Sequence, residues 1–302
     1  MATQTSSINA TIEAASARWG RNHCRSVTTV ADVAGSLNAT YFDLNYIDYE
    51  FNEVQAYVYL NVDPAIAGKT GISATVGSGD SADAVATAIK AGIDAADLPF
   101  IVSVSGSVLT IENQVIGNIT AEADSGSTGF TFSVLQDGLG VDLGATSDAI
   151  NLTLETSTVV INSNQKGQIT LDELVVGQQA SIAMSLIEVT KERFDTLVGE
   201  VTGGNVTPMS GTKVSGFGEA SLYKSLSKLG GTLILHPIRL AESDKSNDLV
   251  FFRSAPKVSQ LSCDGQNPQA LELEFTAYLD SNFNKEINLF TKGDWTQKGL
   301  RA

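Results

Sequence analysis

The sequence predicts a mainly β chain with short helices. An antiparallel β-sandwich or strongly bent sheet is expected to carry an inserted α+β sandwich-like module near its N-terminus. Three observations point there. Apolar and polar residues alternate at period two, as in Ile150, Leu152 and Leu154 against Asn151, Thr153 and Glu155, the pattern of a half-buried strand. Turn formers such as Ser105-Gly106-Ser107 and Gln136-Asp137-Gly138 punctuate these runs. Charge is also unevenly divided. Residues 26–140 hold 14 Asp and Glu against 2 Lys and Arg, a net of −12, whereas the rest holds 20 against 17. That step separates an N-terminal arm (1–25), an acidic module (26–140) and a nearly balanced domain (141–302). A chain of 302 residues is long enough to bury a core without disulfide or metal staples.

In the acidic module, Tyr41-Phe42-Asp43-Leu44 and the run from Val54 to Leu60 read as strands. In the second, Val54, Ala56, Val58 and Leu60 share one face, and Gln55, Tyr57 and Tyr59 the other. Five of the seven tyrosines fall in these strands and their link. Cross-strand packing is their expected role, with a sticky recognition surface as the alternative. Asp80 or Ser81 then caps a helix whose Val85, Ile89 and Ile93 repeat at four, beside Ala82 and Ala86. Residues 100–104 and 108–111 form a hairpin across Ser105-Gly106-Ser107, and 130–134 is the last strand.

In the balanced domain, the strand from Ile150 continues through Val159-Val160-Ile161. A polar stretch over 162–168, then Leu174-Val175-Val176-Gly177 and a return strand over 180–189, make a long hairpin with a turn-rich tip. Thr190 caps a helix over 191–198 with Phe194, Leu197 and Val198 as its apolar edge and Gly199 as its stop. A second helix over 219–229 buries Leu222, Tyr223, Leu226 and Leu229. Strands over 232–238 and 249–252 precede the most regular one. There Leu271, Leu273 and Phe275 point inward, and Glu272, Glu274 and Thr276 outward. Residues 287–290 close the sheet.

Several chemistries find no support. A net charge of −15 argues against a nucleic-acid reader, which needs a basic stripe. Cys24 and Cys263 have no zinc spacing, and His23 and His236 lack catalytic neighbours in sequence. Gly216-Phe217-Gly218 lacks the Lys-Ser/Thr ending of a phosphate loop. Asp172-Glu173 reads as solvated loop charge. No catalytic, metal or cofactor-binding residue is therefore expected, and no enzyme. The polar N-terminus carries no secretory signal and no apolar run approaches the roughly 18 residues of a membrane span, so a cytosolic product is expected. Charged residues are only 18% of the chain, which hints at surfaces covered by self-association.

Two resemblances sharpen this picture. The run from Asp63 to Ile72 (DPAIAGKTGI), the Ala-rich helix, the run from Val102 to Ile111 (VSVSGSVLTI) and Ser127-Thr128-Gly129-Phe130-Thr131-Phe132 resemble a small module inserted in many bacteriophage virion proteins. The balanced domain is similar to the tail tube proteins of long-tailed bacteriophages. The similarity runs through Asn164-Gln165-Lys166-Gly167, the stretches 171–177 and 182–197, Gly231 to Pro237, Phe251 to Pro256, Leu271 to Asp280 and Leu289 to Asp294. It implies rings, usually sixfold or pseudo-sixfold, that stack into a hollow tube. It further implies tip or baseplate, terminator and tape-measure proteins as partners, and DNA passing through the lumen without specific binding. The same resemblance implies no membrane partner and a place in the virion tail, the chain being made in the host bacterial cytoplasm.

On that reading, the hairpin tip with Gln165, Lys166, Asp172 and Glu173 has too few apolar residues to hold itself. It is expected to order against a neighbouring subunit. The arm, with Arg18, Arg21 and Arg25 around Trp19, is expected to dock on an acidic neighbouring surface, making Trp19 and Arg21 further interface candidates. Glu272 and Glu274 are the candidate lumen wall, because carboxylates repel phosphate. The bulk of the module places it outside the tube, which leaves less room for a contractile sheath. The alternative function is a decorating or carbohydrate-binding surface protein, resting on the tyrosine-rich strands.

Overall fold

The computed structural model describes residues 3–12, 15–120, 123–144, 146, 150–163, 169–187, 189–202, 204–206, 214–216, 219, 222–262, 270–297 and 300. The fold is mainly β, 51% strand against 11% helix, with antiparallel sheets and few helices. Strands β1 (Thr3–Ile12) and β2 (Ala15–Thr28) open the chain. Then come β3 (Tyr41–Asp43), β4 (Tyr46–Ile47), β5 (Glu53–Val54), β6 (Ala56–Leu60), β7 (Thr70–Ala74) and helix α1 (Ala82–Ala95). Strands β8 (Phe100–Ser105), β9 (Val108–Ile116), β10 (Thr131–Gln136) and β11 (Leu139–Gly144) follow. The long pair β12 (Ile150–Ser163) and β13 (Ile169–Leu186) leads into α2 (Lys191–Phe194) and a π-helix, Asp195–Thr202. The chain ends with β14 (Gly204–Val206), β15 (Val214–Gly216), α3 (Leu226–Leu229), β16 (Gly231–Pro237), β17 (Leu249–Ser262), β18 (Ala270–Ala277) and β19 (Thr291–Lys292). Two compact units result. One is Gly20–Gly140; the other joins Met1–Trp19 to Val141–Ala302.

In the Gly20–Gly140 unit, β2 lies between β9 and β10, and β8 flanks β9. Helix α1 starts where Ser81 accepts the Ala84 amide, while Asp80 instead accepts from Gly77. Its apolar stripe, Val85, Ala86, Ile89 and Ile93, is buried with Leu109 and Ile111 of β9 and with Phe42, Val58 and Ile72. Strand β6 pairs antiparallel with β3 and parallel with β7. Tyr57, expected on the open face, is only 2% exposed. Its opposite residue Gly71 makes room, since a Cβ there would lie 2.9 Å from the phenol oxygen. The hydroxyl donates to Asp63 Oδ1 at 2.6 Å, and the ring meets Tyr41 edge-on at 5.8 Å. These tyrosines are packing residues. Asp32 accepts the amides of Leu37, Gly35 and Gly79. Those donors, led by Leu37, hold its carboxyl below the ordinary value.

In the other unit, the sheet runs β1-β12-β13-β18-β17-β16-β2, and the pairs with a defined register are antiparallel. The alternation supplies its core: Ile182 stands opposite Leu152 and Phe275, and Met184 opposite Leu273. Strand β17 outruns its expected end at 252. Pairing with β16 stops at Ser254, so Pro256 sits where only the β18 side of the strand is paired, and its missing N–H costs no ladder bond.

Four local expectations fail here. Thr276 lies on the face of Glu272 and Glu274 but is buried there, with its hydroxyl accepting from Lys257 Nζ at 3.0 Å. Residues 287–290 hold no strand; β19 closes the sheet instead, pairing with Leu249 and Val250. The helix after Thr190 does not stop at Gly199 but widens into the π-helix. There Thr196 Oγ1 donates to the Glu192 carbonyl, the acceptor its own amide would take in an α-helix. The helix over 219–229 shrinks to the single turn α3. Tyr223 has φ +64°, a left-handed conformation that breaks the helical path, and Leu222 and Tyr223 are exposed rather than buried.

Candidate functional site

Strand β1 is the edge of its sheet, with β12 as its one partner among the described residues. Ten consecutive pairs run from Thr3↔Val159 to Ile12↔Ile150 without a bulge. The sequence TQTSSINATI contains no charge and no proline. Proteins usually guard such an edge with lysine, proline, bulges or a covering segment. This strand has no guarding residue or bulge of its own.

Beside it, the β12–β13 hairpin outruns the core. Every described side chain of residues 172–179 is exposed, including the consecutive apolar Leu174, Val175 and Val176. Register shifts after Ser157 and after Ile161 leave one extra residue each on β13, and such bulges twist the ribbon. The stretch expected as an irregular tip is thus paired strand up to Ser163 and again from Ile169. Asp172 and Glu173 stand opposite Ile161 and Val160, and Asp172 Oδ1 accepts the Glu173 amide. Gln165, Lys166 and Cys263 lie outside the described residues.

The N-terminal residues do not form a separate docking arm. Trp19 is fully buried in its own unit, where Nε1 donates to the Ser254 carbonyl at 3.2 Å. Its apolar surface is spent inside the subunit, so Trp19 is no interface residue. Arg18 reaches Glu242 at 3.6 Å within the same unit. Arg21 is half-buried on β2 in the Gly20–Gly140 unit, and Arg25 is fully buried there.

Glu272 and Glu274 are exposed on β18, opposite Ser185 and Ala183 of β13. On the other side they face Gln260 and Lys257 of β17. This face of the sheet is therefore acidic around β18, with one lysine directly across from Glu274.

Two features escaped the sequence reading. One is a groove of about 810 Å³ between β1, the base of the hairpin and residues 279–290. The other is a buried polar knot. His236 Nδ1 lies 2.6 Å from Asp248 Oδ1, Trp295 Nε1 donates to Asp248 Oδ2 at 2.8 Å, and the Gly293 amide donates to the Asp248 carbonyl. All three side chains are buried, so the knot ties β16, the start of β17 and the C-terminal segment together rather than facing a substrate. The histidine and aspartate are 12 residues apart, and the tryptophan is 47 beyond the aspartate. No local spacing signals the trio.

No protein-family model matches this sequence, and no curated protein matches it. Among the described residues, no helix is long and apolar enough to cross a membrane.

Proposed function

We propose that this chain is a tail tube protein of a long-tailed bacteriophage virion. Its copies assemble into stacked rings, sixfold in the reading of the resemblance, that form the conduit for the genome. The observation that carries this reading is the uncharged, bulge-free edge of β1 beside a hairpin with an exposed apolar run. A surface of that kind is completed by adding strands from further copies. The Gly20–Gly140 unit is the inserted virion module, outside the tube. Tip or baseplate, terminator and tape-measure proteins are the further partners, and DNA passes without specific contacts. The competing reading as a carbohydrate-binding or decorating protein rested on the tyrosines, and the burial of Tyr57 weakens it.

Electron microscopy of the purified chain tests the proposal. Rings or tubes of uniform width are expected, and single copies at every concentration would overturn it. Ser7→Lys places a guarding charge on the exposed edge and is expected to raise the concentration needed for assembly about tenfold, the effect of roughly 1.4 kcal/mol per contact. Unaltered assembly would remove β1 from the interface.

The acidic face of β18 is the proposed lumen wall. Glu272→Lys with Glu274→Lys is expected to leave tubes intact while slowing DNA ejection, most strongly at low salt, because each new cation adds salt-sensitive phosphate affinity. Ejection at the wild-type rate in low salt would mean that this strand does not face the bore.

A further inference from the structure

The chain has two histidines, and each is buried against a different kind of partner. His236 Nδ1 faces the Asp248 carboxylate. His23, on β2, faces a backbone amide instead, and the Gly138 N–H donates to its Nδ1 at 3.3 Å. A main-chain amide can only donate. This nitrogen therefore carries no proton, and the ring is neutral with its hydrogen on Nε2. Gly138 lies in the turn between β10 and β11, and that turn rests on backbone. A Cβ on Gly138 would lie 2.0 Å from the Gly117 carbonyl oxygen and 3.0 Å from the His23 Cβ. One on Gly140 would lie 2.9 Å from the Gly117 Cα. Side-chain hydrogen bonds fix the turn to β2 through His23 and through Gln136, whose Nε2 donates to the Asn22 carbonyl at 2.8 Å. Of these two, only the bond to His23 is switched by a proton.

We propose that His23 is a proton-operated latch: neutral, it holds the β10–β11 turn on β2, and protonated, it lets the turn go. A proton on Nδ1 sets one N–H against another, so the Gly138 amide loses its acceptor. The charges around the ring set the direction. Fully buried Arg25 and half-buried Arg21 lie on the same strand, as does the Cys24 thiol. Glu112 of β9 stands opposite Cys24 and accepts from Asn22 Nδ2 at 3.1 Å, and Asp137 is in the turn itself. Burial first, and then Arg25, hold the imidazole below its ordinary value of 6.5, against the opposing pull of Asp137. The fold thus prefers the neutral ring. The latch is fully closed above about pH 6.5 and opens as the pH falls through the lowered value. It goes beyond the self-assembly reading and does not depend on it.

Hydrogen exchange of the full chain, kept dilute enough to stay unassembled, tests the latch. Rates are corrected for the pH dependence of intrinsic exchange. Protection of residues 136–140 is then expected to fall about tenfold between about pH 7.5 and about pH 5, the change carried by one pKa unit of lowering. Helix α1 is expected to keep its protection. Equal protection of 136–140 at both pH values would overturn the proposal. His23→Gln keeps an oxygen that can accept the amide but does not titrate, so its protection is expected to be the same at both. If the acid loss persisted in this variant, it would belong to Asp137 or Glu112 and the latch would be overturned. Nitrogen NMR of the histidine-labelled wild-type chain needs no variant. At about pH 7.5, one of the two rings is expected to carry its proton on Nε2 with a bare Nδ1. The absence of such a ring would overturn the proposal as well.

Discussion

Asp248→Ala is expected to lower the stability of its unit by about 3 kcal/mol, within the range for removing one member of a buried, hydrogen-bonded polar group. The Asp248 carboxylate is fully buried and serves two side chains with separate oxygens, His236 Nδ1 on one and Trp295 Nε1 on the other. Alanine leaves both ring nitrogens in the interior without their acceptor and opens a cavity between β16 and the C-terminal segment. Asp248→Asn is expected to cost less, because it keeps one acceptor oxygen and turns an amide donor toward the other ring. Urea unfolding followed by near-ultraviolet circular dichroism measures both. The midpoints should rank wild type, then Asn, then Ala, with similar slopes. An unmoved midpoint for alanine would show that the knot does not tie these elements together.

Trp19→Ala is expected to be the other severe substitution, at about 3–5 kcal/mol, the range for deleting a large buried aromatic. It empties a fully enclosed site and removes the donor to the Ser254 carbonyl. Trp19→Phe refills most of the volume but not the hydrogen bond, so it is expected to recover more than half of the loss. The loss should appear in monomers at low concentration, in the same urea experiment. If Trp19→Ala weakened assembly while leaving monomer unfolding unchanged, the residue would act between subunits, as the sequence reading had it. The buried geometry gives the opposite expectation.

The elements legible before the structure were those whose stabilising contacts repeat along the chain. Helix α1 combines a capping serine, Ser81, with apolar residues spaced by four, and both signals act within a few turns. Strand β18 shows the same economy at period two. Leu271, Leu273 and Phe275 are buried and Glu272 and Glu274 exposed as their alternation requires, so a candidate wall was readable as a face. The unguarded edge of β1 was not. Its lack of charge is visible in TQTSSINATI, but its place at the edge depends on which strands pair, a long-range outcome.

Where reading failed, a distant partner outweighed the local pattern. Residues 219–229 have a helical stripe, yet no core surface receives Leu222 and Tyr223, and an amphipathic helix without a partner face is marginal in water. Trp19 looked like the anchor of a loose arm because nothing near it in sequence shows Ser254, 235 residues away, as its acceptor. His236 looked inert beside Pro237 for the same reason, with Asp248 and Trp295 reached only through the packing of β16 against β17 and the C-terminal segment. Periodicity and capping act over a few residues and survive in any window of sequence. Burial, edge position and hydrogen-bond partnership are properties of which surfaces meet, and they came into being only when the sheet closed.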